Sequence, residues 1–150
     1  MSIRSSKADQ HGALWQAGTI ATLALAMTAF GIAGVRQPAH IDELRIPVEE
    51  LHSDAAELAF LHAERGAGRI SETFYDAQLR QLARTQGDSY RELTRLQVRP
   101  GLMPVKMEAV GEGQELGRHL AMLREGEDVD ETALHRVRDR LDVLARDLRR

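Results

Sequence analysis

The sequence predicts an all-α chain: a single N-terminal transmembrane helix, then a small antiparallel helical-hairpin or four-helix-bundle-like domain. Three observations predict it. Residues 13 to 35 carry no charge, and Arg36 ends the run. Beyond residue 40 apolar residues recur at spacings of three and four, and no segment alternates apolar with polar as a half-buried strand does. Alanine, leucine, arginine and glutamate dominate and only 4% of residues are aromatic, as in helical bundles. The chain then divides into a short tail (1–12), a transmembrane signal anchor (13–35), a juxtamembrane linker (36–46) and a helical extramembrane domain (47–150).

The uncharged run, "ALWQAGTIATLALAMTAFGIAGV", is about 34 Å long as a helix, close to the ~30 Å apolar core of a bilayer. A secretory signal has a shorter apolar core and a small-x-small cleavage site, which Gly31-Ile32-Ala33 supplies. Length favours a retained anchor; cleavage after Ala33 would instead release a secreted helical protein. At 100° per residue Gly18, Thr22, Ala26, Ala29 and Ala33 fall within an arc of about 80°, opposite Ile20, Leu23, Met27 and Phe30. Helices in lipid associate through small residues and hydroxyl hydrogen bonds, so this stripe is the expected partner-packing face. Alanine-rich anchors also carry such stripes through composition alone. Trp15 sits where an interfacial aromatic belongs. Arg4 and Lys7 precede the run while Arg36 and Arg45 follow it, and the α-amino group tips the balance toward an N-terminus inside. The expected location is the bacterial inner membrane, single-pass, with the domain in the periplasm. Arginine outnumbers lysine 18 to 2, the usage of a GC-rich bacterial genome.

A first domain helix is predicted near Pro47, which suits a first helical position, with Glu49 and Glu50 at the positive end. Leu44, Val48, Leu51, Ala55, Leu58 and Leu61 form its apolar side, and the glycines at 66 and 68 end it. Ser71 is a good N-cap for a second helix, with Ile70 and Tyr75 as a hydrophobic staple. Its buried side is Tyr75, Leu79, Leu82, Leu93 and Leu96. Gly87 and a capping box at Ser89-x-x-Glu92 predict a kink or a break. Arg99-Pro100-Gly101-Leu102-Met103-Pro104 is a loop. Gly111, Gly113 and Gly117 each cost a helix about 1 kcal/mol, so residues 105–115 read as irregular before Leu116, Leu120 and Leu123 restore the pattern. Behind the N-cap Asp130, Leu134, Val137, Leu141, Leu144 and Leu148 form a helix-packing seam too short to stand alone.

The segments "GRISETFYDAQLRQLAR" and "EDVDETALHRVRDRLDVLAR" echo each other: an aliphatic residue, a capping residue and Glu-Thr precede an amphipathic helix. The first resembles the short helical hairpins of bacterial membrane-anchored and cytochrome-maturation proteins, a resemblance of turn chemistry from which no function is carried over. Two stacked hairpins make an antiparallel four-helix bundle.

The same residues leave little room for catalysis. There is no cysteine, which excludes disulfides, thiol catalysis and c-type haem attachment. The six histidines form no His-x-x-x-His or paired Glu-x-x-His pattern. Glu115 with His119, and Glu49 with His52, are two ligand-capable pairs that a bundle could bring together, though surface pairs of this kind are common. Met103, Met107 and Met122 read as core or loop filler. "GEGQELG" lacks the lysine of a phosphate loop, and serine-nucleophile motifs are absent. Net charge is −3 with acidic and basic residues interspersed and no basic stripe, against nucleic-acid binding.

The expected function is non-enzymatic and without cofactor or metal: an accessory, assembly or scaffold subunit of a larger membrane complex. Its partners would be other membrane subunits, met through the transmembrane helix and the helical domain, and the lipid bilayer. The alternative is a periplasmic helical-bundle sensor or ligand-binding module acting through a partner, although a small-molecule ligand has no signature here.

Overall fold

The computed structural model of the chain describes residues 40–150. Four helices fill them: α1 (Ile41–Gly66), α2 (Glu72–Arg95), α3 (Met103–Arg124) and α4 (Glu131–Asp147), with one 3-10 turn at Pro100–Leu102. None of these helices is long and apolar enough to cross a membrane. The run 13–35 lies outside the described residues.

Helix α1 packs between α2 and α4, α3 closes the ring against α2 and α4, and α1 meets α3 across the middle. Cross-helix bonds fix the directions. Thr85 Oγ1 donates to Asp54 at 3.0 Å and Ser89 Oγ to Glu50 at 2.7 Å, so α2 climbs as α1 descends. Arg149 meets Glu49 at 3.3 Å and His52 meets Asp142 at 4.0 Å, so α4 also runs against α1. The fold is an antiparallel four-helix bundle, as the stacked-hairpin reading predicts.

The apolar stripes explain the packing. Leu44, Val48, Leu51 and Leu58 of α1 are fully buried against Tyr75, Leu79, Leu82 and Leu93 of α2 and Leu116, Leu120, Leu134 and Leu141 of α3 and α4. Each such leucine contributes about 1.5–3 kcal/mol by leaving water. Leu96 is only partly buried.

Three local expectations are corrected. Helix α1 begins at Ile41 and carries Pro47 in its interior. An interior proline costs about 3 kcal/mol, but starting the helix at Pro47 would leave Leu44 out of the core, where it is fully buried. Helix α2 runs unbroken through Gly87; Ser89 bonds the Thr85 carbonyl and Glu50 rather than capping a new helix. Helix α3 is regular through residues 105–115. Two of its glycines permit close approach: a Cβ at Gly113 would lie 3.1 Å from both Leu51 and Tyr90, and one at Gly117 would lie 3.1 Å from the Gln86 amide, while one at Gly111 would meet nothing within 4 Å. Tight packing outweighs the helix-propensity cost there.

The two hairpin turns share one design. Gly68 (φ 68°) and Gly126 (φ 80°) are the two positive-φ residues among those described, a conformation that disfavours any residue with a Cβ. At each, the following amide bonds back to the carbonyl five residues earlier, Arg69 to Glu64 and Glu127 to Met122, both at 2.9 Å. These are Schellman closures. The next helix is then capped: Ser71 Oγ accepts from the Phe74 amide and Asp130 from the Thr132 amide. The connection between α2 and α3 is built differently. Lys106 Nζ donates to the Leu96 and Thr94 carbonyls at 2.5 and 3.1 Å, satisfying the orphan acceptors at the end of α2.

Candidate functional site

Polar side chains inside the bundle are used mainly to tie helices together. Gln86 Nε2 donates to the Gly113 carbonyl at 2.8 Å, joining α2 to α3 where the glycines bring them close. The buried Glu112 receives Arg140 at 2.9 Å, joining α3 to α4. Glu50, Ser53, Asp54, Thr85, Asp88 and Ser89 line a groove of about 330 Å³ between α1 and α2. In it, burial pushes the Asp54 carboxyl up to about 6, opposed by the Thr85 hydroxyl bond and reinforced by Glu57 and Glu50. Its Oδ2 is buried without a partner. A second groove, about 460 Å³, runs along α4 beside Glu108, lined by Thr132, His135, Arg136, Asp139, Arg140 and Val143.

The two ligand-capable pairs do not converge. Glu49 pairs with Arg45 and Arg149, while His52 faces Asp142. His119 lies 3.6 Å from Glu115 on another helix, and burial lowers its pKa. Among the described residues no three His, Asp or Glu side chains gather as metal ligands would. Met103 and Met107 are exposed and Met122 packs on the core.

The transmembrane stripe Gly18, Thr22, Ala26, Ala29 and Ala33 lies outside the described residues. The seam residues Leu134, Val137, Leu141, Leu144 and Leu148 are all buried, facing the bundle interior.

The ends of the bundle contrast sharply in charge among the described residues. One end collects the start of α1, the α2–α3 connection and the end of α4. Its segments 41–45, 95–106 and 146–150 hold seven Arg and Lys against three Asp and Glu. Adding Glu49 and Asp142, the partners of Arg149 and Arg146, leaves a net charge of +2. The other end holds the two hairpin turns, and its segments 62–72 and 124–131 carry three Arg against seven Asp and Glu, a net of −4. The basic end also exposes Ile41 (39%) and Met103 (43%). Beside them, His40, Ile41, Arg99, Gly101 and Leu102 line a groove of about 530 Å³. Sequence reasoning missed this polarity because the charges are interspersed along the chain and only folding sorts them. It also missed Gly113 and Gln86, whose signal, a glycine on the buried face of an amphipathic pattern, is visible once the faces are assigned.

What the fold and its surfaces define is an antiparallel four-helix bundle with one basic, partly apolar end and one acidic end. No family model, curated protein or solved structure matches the chain.

Proposed function

We propose that the protein is a single-pass, membrane-anchored accessory, assembly or scaffold subunit of a larger bacterial inner-membrane complex, with its bundle on the periplasmic side and no catalytic role. The observation that carries this reading is an uncharged run of bilayer length placed five residues before α1. Two features support a partner. The small-residue stripe from Gly18 to Ala33 offers a packing face in lipid. The bundle also exposes Phe60 (62%) and Met107 (60%), large apolar residues on outer faces where a neighbouring subunit would cover them. The open groove along α4 favours the second reading, a ligand-binding module that signals through a partner.

Mild-detergent extraction followed by native electrophoresis and mass spectrometry tests the choice. Migration in a large assembly, lost in Gly18→Leu or Ala26→Leu while insertion persists, is the expected result. Migration as a lone chain, together with a melting temperature raised by a small molecule, would favour the ligand-binding module.

A further inference from the structure

We infer that the basic end of the bundle is a docking surface for anionic phospholipid headgroups, holding the bundle end-on against the bilayer. The inference rests on the anchored reading above and names what the anchored domain touches.

Four observations meet at this end. It carries net positive charge while the opposite end is net negative, so an anionic surface attracts one and repels the other. Arg95 and Arg99 make no ion pair among the described residues, leaving two guanidinium forks for phosphate oxygens. Ile41, Leu102 and Met103 put apolar surface beside Arg99, the pairing that settles at the boundary between headgroups and acyl chains. Finally, the chain enters the bundle here: residues 36–40 separate the uncharged run from Ile41 and span at most about 18 Å when extended. On the anchored reading, a connection that short would hold this end at high effective concentration near the membrane surface.

Proximity decides between lipid and a protein partner at this site. A protein partner would need a matching acidic apolar patch, whereas a bilayer containing phosphatidylglycerol supplies both features to any chain already anchored in it.

The chain lacks cysteine, so single labels can be placed cleanly. A Cβ at Gly101 meets nothing within 4 Å, which makes Gly101→Cys a tolerated site at the basic end, and the exposed Glu127→Cys marks the acidic end. The full chain, nitroxide-labelled at each site, would be reconstituted in nanodiscs containing phosphatidylglycerol. Its accessibility to oxygen and to a water-soluble nickel complex would then be read by power saturation. The expected result is an oxygen-favoured ratio at position 101 and an aqueous ratio at 127. With Arg95→Glu and Arg99→Glu added, position 101 should turn aqueous while the chain stays in the disc. Aqueous ratios at both sites of a disc-bound chain would overturn the docking surface and leave the anchor standing. A chain absent from the discs would overturn the anchor as well.

Discussion

The two ends of the bundle reach closure by opposite routes. At the acidic end two turns repeat one local recipe: a left-handed glycine, a backbone bond back across the turn and a side-chain cap on the next helix. Every part of that recipe lies within a few residues of sequence, and its polar atoms are consumed in making the turn. The basic end joins α2 to α3 through a longer connection and satisfies the carbonyls of α2 with a lysine from the following helix. Arg95 and Arg99 make no ion pair there among the described residues, and Ile41 and Met103 are exposed beside them. One end is specified by local backbone chemistry, whereas the other is closed by a side chain reaching back from the next helix.

Substitutions separate these routes. The largest effect is expected between the ends, at Gly113→Val, where the new side chain would collide with Leu51 and Tyr90. Overpacking of this kind costs about 2 kcal/mol, visible as a lower urea midpoint with both ends losing hydrogen-exchange protection. An unchanged midpoint would mean that α1 and α3 do not approach this closely. At the acidic end, Gly68→Ala and Gly126→Ala should each cost about 1 kcal/mol, because alanine resists positive φ. Protection should fall first around the substituted turn. By contrast Gly101→Ala, in open space at the basic end, should stay within about 0.5 kcal/mol of the parent. A cost at Gly101 equal to that at Gly126 would erase the distinction between the ends.

Asp54, on the α1–α2 face between the ends, gives a pH-dependent effect. Its carboxyl is raised to about 6, so the folded chain holds that proton more tightly than the unfolded chain does. The resulting stability is complete below the ordinary aspartate range and is lost as pH rises through about 6. Asp54→Asn keeps the acceptor for Thr85 and removes the titration. At neutral pH it should raise stability by about 1 kcal/mol, the full shift being discounted for partial solvent exposure. The slope of melting temperature against pH should flatten below neutrality; identical slopes would contradict the burial of this group.

Most of the fold was legible because its helices are amphipathic. The four-three spacing from Leu44 to Leu61 and from Leu134 to Leu148 places the buried faces correctly. Ser71 and Asp130 mark helix starts through side-chain chemistry that acts over two or three residues. Pro47, Gly87 and the glycines of α3 misled because propensity is a local term of about 1–3 kcal/mol, and packing of a long helix overrides it. Gly113 in particular reads as a helix breaker in sequence and acts as a contact point in three dimensions. The charge polarity was illegible for a related reason. Arg45, Arg99 and Arg149 are far apart in the chain and belong to one surface only after the helices pair.

Alkaline carbonate extraction of native membranes, followed by intact-mass measurement of this chain, tests the central claim most directly. The expected result is that the chain stays with the membrane at a mass that retains residues 13–35. Release into the supernatant, or a mass lacking everything through Ala33, would contradict it.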